Sequence, residues 1–143
     1  MLSLSCKAAI KAVIYLGSQF ESGRRTGIRE VADYIDENEH TVGKLLQKLV
    51  RENIIKSAKG PNGGFYITAR QRNQRVITIV EAIDGKEVFS QCGLGLSKCS
   101  ENRPCPFHDD FKPIREGFKQ LCLEKRISEL DEKVNNGLFH LIG

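Results

Sequence analysis

The sequence predicts a mainly α-helical fold with one small β-hairpin, followed by a long C-terminal helix. Three observations predict it. Apolar residues recur at helical spacing three times in the first third of the chain. Two short β-prone runs then flank a tip rich in glycine, proline and asparagine. The last third carries one long amphipathic stretch after an irregular, cysteine-rich segment.

Taken in order, the first helix is expected over residues 5–20, where Ala9, Ile10, Val13, Ile14, Leu16 and Phe20 form one wide stripe. Gly17 and the Ser22-Gly23 pair mark its end. Thr26 is expected to cap a second helix with Ile28, Val31, Ala32 and Ile35 facing inward. A third helix is expected over residues 39–52, with Val42, Leu45, Leu46 and Leu49 buried and His40, Thr41, Gly43, Lys44, Gln47 and Lys48 on other faces. The β-prone runs are residues 53–57 and 65–68, joined by Lys59-Gly60-Pro61-Asn62-Gly63-Gly64. Two closely spaced helices and a hairpin are the plan of a winged helix-turn-helix. Its second helix enters the DNA major groove and its hairpin reaches the flanking backbone or minor groove.

Residues 76–84 form a further short helix ended by Gly85. Residues 86–108 hold Gly93, Gly95, Pro104 and Pro106 and are expected to form no regular element. Asp109 opens the long helix, with Phe111, Ile114, Phe118, Leu121, Cys122 and Ile127 on its apolar side; Pro113 falls near its start, where proline is tolerated. Ser128 and Asp131 mark a short terminal helix before the apolar tail 138–142. Such a long helix has little left to bury against within one chain, so homodimerisation through it is expected. The organisation is then a DNA-binding domain over 1–75, a connecting helix and cysteine loop over 76–108, and a dimerisation helix and tail over 109–143.

The charge distribution points the same way. Residues 1–75 carry thirteen basic and seven acidic side chains, a net charge of +6, whereas the remainder carries −2; residues 44–75 alone carry +7. A field of that sign on a winged helix-turn-helix suits double-stranded DNA. Asn38, Glu39, His40, Thr41 and Lys44 are the expected reading surface, with Gly43 allowing close backbone approach. Lys48 and Ser57 are suited to phosphates, and Lys59, Gly60 and Pro61 at the wing tip to the minor groove. No apolar stretch approaches the ~20 residues of a membrane span. The N-terminus lacks the pattern of a secretory signal, so a cytoplasmic location is expected. No nucleotide fingerprint and no nucleophile–base arrangement stands out, so an enzyme is not expected.

Chemistry concentrates in the cysteine loop. Three of the five cysteines, Cys92, Cys99 and Cys105, fall within fourteen residues, and His108 follows Cys105 by three. In a reducing compartment such clustering favours a metal site or a redox sensor over disulfides. The spacing is too open for one small ion, and the tight Cys-x2–4-Cys pairs of structural zinc are absent. An iron–sulfur cluster is the expected occupant. Zinc and bare-thiol redox chemistry are the alternatives, and a small iron–sulfur redox protein is a more remote one. Cys6 and Cys122 fit apolar helix stripes and are expected to be inert core residues.

With these residues in view, the chain resembles the Rrf family of bacterial regulators. Leu4-Ser5, the segment Ile28-Arg29-Glu30-Val31-Ala32, the wing from Ser57 to Phe65 and the three-cysteine loop carry the resemblance over nearly the whole chain. It implies a dimeric winged-helix transcription factor. An iron–sulfur cluster sensing iron, redox or nitric oxide status would control its binding to a pseudo-palindromic operator. IscR-like members carry a histidine where this chain has His108, and the first-helix stretch 6–12 offers no acid or histidine. The resemblance therefore favours Cys92, Cys99, Cys105 and His108 as ligands and places a 2Fe–2S cluster ahead of 4Fe–4S, with Cys6 as the alternative fourth ligand. Gly43 stands where the family commonly has a glutamate.

Overall fold

The computed structural model describes residues 1–143. Its elements follow in the order α1 (Leu4–Ser18), α2 (Ile28–Ile35), α3 (Glu39–Arg51), β1 (Lys56–Ala58), β2 (Gly64–Tyr66), α4 (Ala69–Arg72), α5 (Val76–Asp84), α6 (His108–Glu124) and α7 (Ile127–Asn135). A 3₁₀ turn occupies Lys86–Phe89 within the stretch expected to be irregular. The mainly helical class with a hairpin wing is the class the sequence predicts. No helix is long and apolar enough to cross a membrane.

Ser3 starts α1: its hydroxyl accepts the Cys6 N–H and satisfies one of the free donors of the first turn. Ala8, Ala9 and Ala12 are all buried, so α1 presents little bulk to its neighbours. It becomes the central element, in contact with α2, α3, α5 and α7. The core of 24 residues runs along it from Cys6 to Leu16 and takes in Val31, Ile35, Leu46, Leu49, Ile54, Ile55 and Ile79. The helix ends at Ser18 rather than Phe20, because residues 19–23 turn back through hydrogen bonds to Tyr15, Leu16 and Gly17.

The sequence expectation for Thr26 is overturned. Thr26 does not cap α2; Gly27 occupies that position, without a side chain to offer. Thr26 is fully buried and pairs antiparallel with Phe65, exchanging both backbone hydrogen bonds at 2.9 and 2.8 Å. It thus adds a one-residue third strand to the wing. The hairpin itself pairs Lys56 with Tyr66, Ser57 with Phe65 and Ala58 with Gly64. Strand β1 begins and ends later than its β-prone run because Ile54 and Ile55 are drawn into the core first, and the register then moves β2 one residue earlier at its start and two at its end.

Helix α4 is an element the periodicity does not predict. Thr68 and Gln71 form a capping box around its single turn, and the Gln71 side-chain amide donates to the Asn53 carbonyl. Helix α5 has the bounds the sequence predicts, with Gly85 at φ +87 stopping it. Helix α6 starts one residue early, at His108. Helix α7 starts at Ile127, which is buried.

Two features join the halves of the chain. Arg72 of α4 grips Asp131 of α7 in a bidentate pair, Nε to Oδ2 at 2.8 Å and Nη2 to Oδ1 at 2.6 Å. Asp131 has no solvent exposure. Gly17 of α1 passes so close that any Cβ there would overlap the Asp131 carboxylate. The second feature is a backbone stitch: Val76 N–H donates to Lys125 O at 2.9 Å and Ile127 N–H to Gln74 O at 3.0 Å. Arg126 reinforces it by donating to the Asn73 carbonyl at 2.8 Å.

Candidate functional site

The N-terminal end of α3 builds the first surface. Asn38 is the N-cap of α3, its Oδ1 accepting the Thr41 N–H at 3.1 Å, so that oxygen is committed to the helix. Glu39, His40, Thr41 and Lys44 are exposed, and Lys48 is half-buried. A groove of about 710 Å³ is lined by Ile28, Asn38, Glu39, His40, Gly43, Lys44 and Gln47. Five of the residues singled out from sequence therefore share one concave face. Gly43 is buried there, and the close approach it permits is to Ile28 of α2, whose methyl carbons lie 3.4 and 3.6 Å from where a Cβ would stand. Ile28 and Gln47 were not legible as groove residues, because Ile28 looks from sequence like an ordinary core position.

The wing tip projects Lys59, Gly60 and Pro61 into solvent, and Ser57 is exposed on β1. Gly60 adopts φ +98, and the Gly63 N–H closes the tip on the Gly60 carbonyl at 2.9 Å. Arg25 stacks its guanidinium on Tyr66 of β2, 5.2 Å from the ring centroid.

The cysteine loop folds over the N-terminal end of α6. Gly93 lies against Phe111, with only 2.8 Å between a would-be Cβ and the ring, so a side chain there would lift the loop. That approach brings the donors together. Cys92 Sγ lies 3.5 Å from Cys105 Sγ, and Cys99 Sγ lies 3.2 Å from His108 Nδ1. The four donors form two pairs, and no three of them close on one point. Cys92 and His108 are buried, while Cys99 and Cys105 are half-buried. A groove of about 500 Å³ opens beside Cys92 and Cys99.

The thiols differ in character. Backbone N–H groups of Leu94 and Leu96 point at Cys92 and hold its thiol below the usual range. Burial and the neighbouring Cys92 push the Cys105 thiol up. Away from this centre, Cys6 and Cys122 are buried in the core as expected, and burial pushes the Cys6 thiol up to about 12.

Arg115 completes the centre and was missed from sequence. It is buried on α6, its Nη1 donating to the Gln91 carbonyl at 2.7 Å and to Cys99 Sγ at 3.3 Å. Its Nε is buried without a partner. The signal was available: Arg115 follows His108 by seven residues, two helical turns, which puts both on one face. Three thiols and an imidazole are a soft donor set, and a buried guanidinium with a free N–H suits an anionic occupant. The residues present therefore fit an iron–sulfur cluster.

A helix pair with an exposed groove at the start of its second helix, flanked by a basic wing, defines a winged helix-turn-helix DNA-binding protein. The family model for Rrf2, described as an iron-dependent transcriptional regulator, matches residues 2–132. The chain belongs to the Rrf2 family of transcriptional regulators. It is 26% identical over 94 residues to NMA1593 of Neisseria meningitidis, described as an HTH-type transcriptional regulator, covering 66% of this chain and 63% of that one. The match thus spans somewhat less than two thirds of that relative. A protein of Aquifex aeolicus with the same description is 23% identical over 132 residues, 91% of this chain and 90% of its own. Among solved structures, CymR, the global cysteine regulator of B. subtilis, superposes with a TM-score of 0.74 at 16% identity, covering 92% and 96% of the two chains. The IscR of T. potens does so with a TM-score of 0.73 at 13% identity, covering 97% and 91%.

Proposed function

We propose that this chain acts as a homodimer on a pseudo-palindromic operator, with its DNA affinity set by an iron–sulfur cluster on Cys92, Cys99, Cys105 and His108. The observation that carries the reading is that the cysteine loop brings these four donors to the start of α6 as two close pairs, beside a buried cation. A histidine among the donors favours 2Fe–2S over 4Fe–4S. When bound, the cluster supplies a centre whose charge and integrity respond to iron supply, oxidants or nitric oxide.

The protein's own residues do the rest. His108 and the three thiols would close the loop onto α6. The outward face of α6, where Ile114 and Leu121 are exposed seven residues apart, would meet the partner subunit. Glu39, His40, Thr41 and Lys44, beside Asn38 at the N-cap, would meet base edges; Lys48 and Ser57 would meet phosphates. Lys59 with Gly60 and Pro61 would enter a flanking minor groove. Coupling of about 1–3 kcal/mol between loop and groove gives roughly 5- to 150-fold changes in operator affinity, enough for a switch. Such a protein would work in the cytoplasm, where DNA and reduced thiols coexist.

The test is anaerobic purification with visible absorption, iron and sulfide analysis, and a mobility-shift assay before and after cluster removal. A coloured protein whose operator affinity changes on cluster loss is the expected result. A second reading, a thiol-based regulator without a cluster, is favoured by the 3.5 Å between the Cys92 and Cys105 sulfurs. Colourless protein that resists reconstitution, but whose DNA binding responds reversibly to thiol oxidation, would select it.

A further inference from the structure

We infer that Arg115 is the counter-charge of the cysteine centre, a positioning residue that latches the loop and raises the reduction potential of the bound cluster. The inference rests on the reading of that centre as a cluster site. A guanidinium remains charged at any pH a protein survives, and burying it is costly unless anionic charge and acceptors meet it. Arg115 is 5% exposed, yet no buried carboxylate faces it. The nearest acid is the half-exposed Glu116, 3.8 Å from Nη2. What Arg115 does meet is a backbone carbonyl of the loop, Gln91, and a sulfur, Cys99, while its Nε points at nothing.

The missing negative charge is one that sulfur ligands acquire on binding. A 2Fe–2S core with three thiolates and one neutral imidazole carries a single net negative charge when both irons are ferric. One buried guanidinium balances it. Reduction adds one electron and hence a second negative charge in the same low-dielectric surroundings, so the cation favours the reduced state. Cluster potentials follow net charge and hydrogen bonds to the sulfurs, and Arg115 supplies both at Cys99. Its bond to Gln91 gives it the second task of holding the loop against α6.

The two tasks separate by substitution. Arg115→Lys keeps the charge and loses the rigid planar guanidinium whose Nη1 donates to both Gln91 and Cys99. Arg115→Gln keeps a donor and loses the charge. Iron and sulfide content, circular dichroism and dithionite potentiometry on the full-length protein and both variants read the outcome. Wild type is expected to hold a cluster, Arg115→Gln to hold it at a distinctly lower potential, and Arg115→Lys to remain near the wild-type potential. Should Arg115→Gln fold without accepting a cluster, the comparison of Arg115→Lys with wild type decides. A wild-type potential in Arg115→Gln, or an equal negative shift in both variants, overturns the counter-charge. Folded variants that both fail to bind cluster reduce Arg115 to a latch and also overturn it. A wild-type protein that never binds iron and sulfide instead refutes the cluster reading itself.

Discussion

Cys6 lies in the core beside Cys122 and near Asp84, and burial first, then Asp84, moves its thiol from an ordinary value near 9 to about 12. A folded-state value above the unfolded one favours the protonated thiol in the native protein. The stability this contributes is complete below about pH 9 and is lost as pH rises toward about 12. Urea unfolding between about pH 8 and about pH 11 is expected to show Cys6→Ala losing stability less steeply than wild type, by up to ~1.4 kcal/mol per pH unit. Parallel curves would mean that the thiol ionises as readily folded as unfolded. A different residue pair tests the buried ion pair. Arg72→Ala leaves the Asp131 carboxylate enclosed and unpaired, which is expected to cost about 3–5 kcal/mol by chemical denaturation. Gly17→Ala drives a methyl into that same carboxylate and is expected to destabilise as well. A loss below about 1 kcal/mol in Arg72→Ala would show water replacing the guanidinium.

At the scale of the element, the proposed DNA contacts fall on α3 and the wing. Lys59→Ala at the wing tip is expected to weaken operator binding and to lower the slope of log affinity against log salt by about one. An unchanged isotherm would remove the wing from the mechanism. This region was the most legible part of the sequence, because the Gly-Pro-Asn tip and the apolar stripes of α2 and α3 are local patterns. Gly85 likewise fixed the end of α5. What escaped was set by tertiary approach. Thr26 looks like a helix cap, and only the arrival of Phe65 makes it a strand residue. Helix α4 is one turn long and leaves no periodicity, although Thr68 and Gln71 carry the capping-box signature. In the cysteine loop the sulfur spacing, His108 and the place of Arg115 on the same helix face were visible, but the burial of Arg115 was not, because Gln91 and Cys99 of the loop reach it only through tertiary approach.

At the scale of the molecule, Ile114 and Leu121 are 61% and 48% exposed on one face of the longest helix. Replacing both by Asp is expected to weaken self-association at least tenfold, about 1.4 kcal/mol, in light scattering across a dilution series. An undiminished dimer would place the interface elsewhere. The backbone stitch between residues 74–76 and 125–127 has a mechanical consequence. Helix α6 runs seventeen residues, about 25 Å, from His108 to that stitch. A rod clamped at both ends transmits displacement without slack. A pull on His108 is therefore expected to reach Gln74, two residues past the single turn of α4 that follows the wing. The amides of Val76 and Ile127 are its strain gauges, and their hydrogen-exchange rates are expected to change when the cysteine centre is filled or emptied, although neither residue touches it.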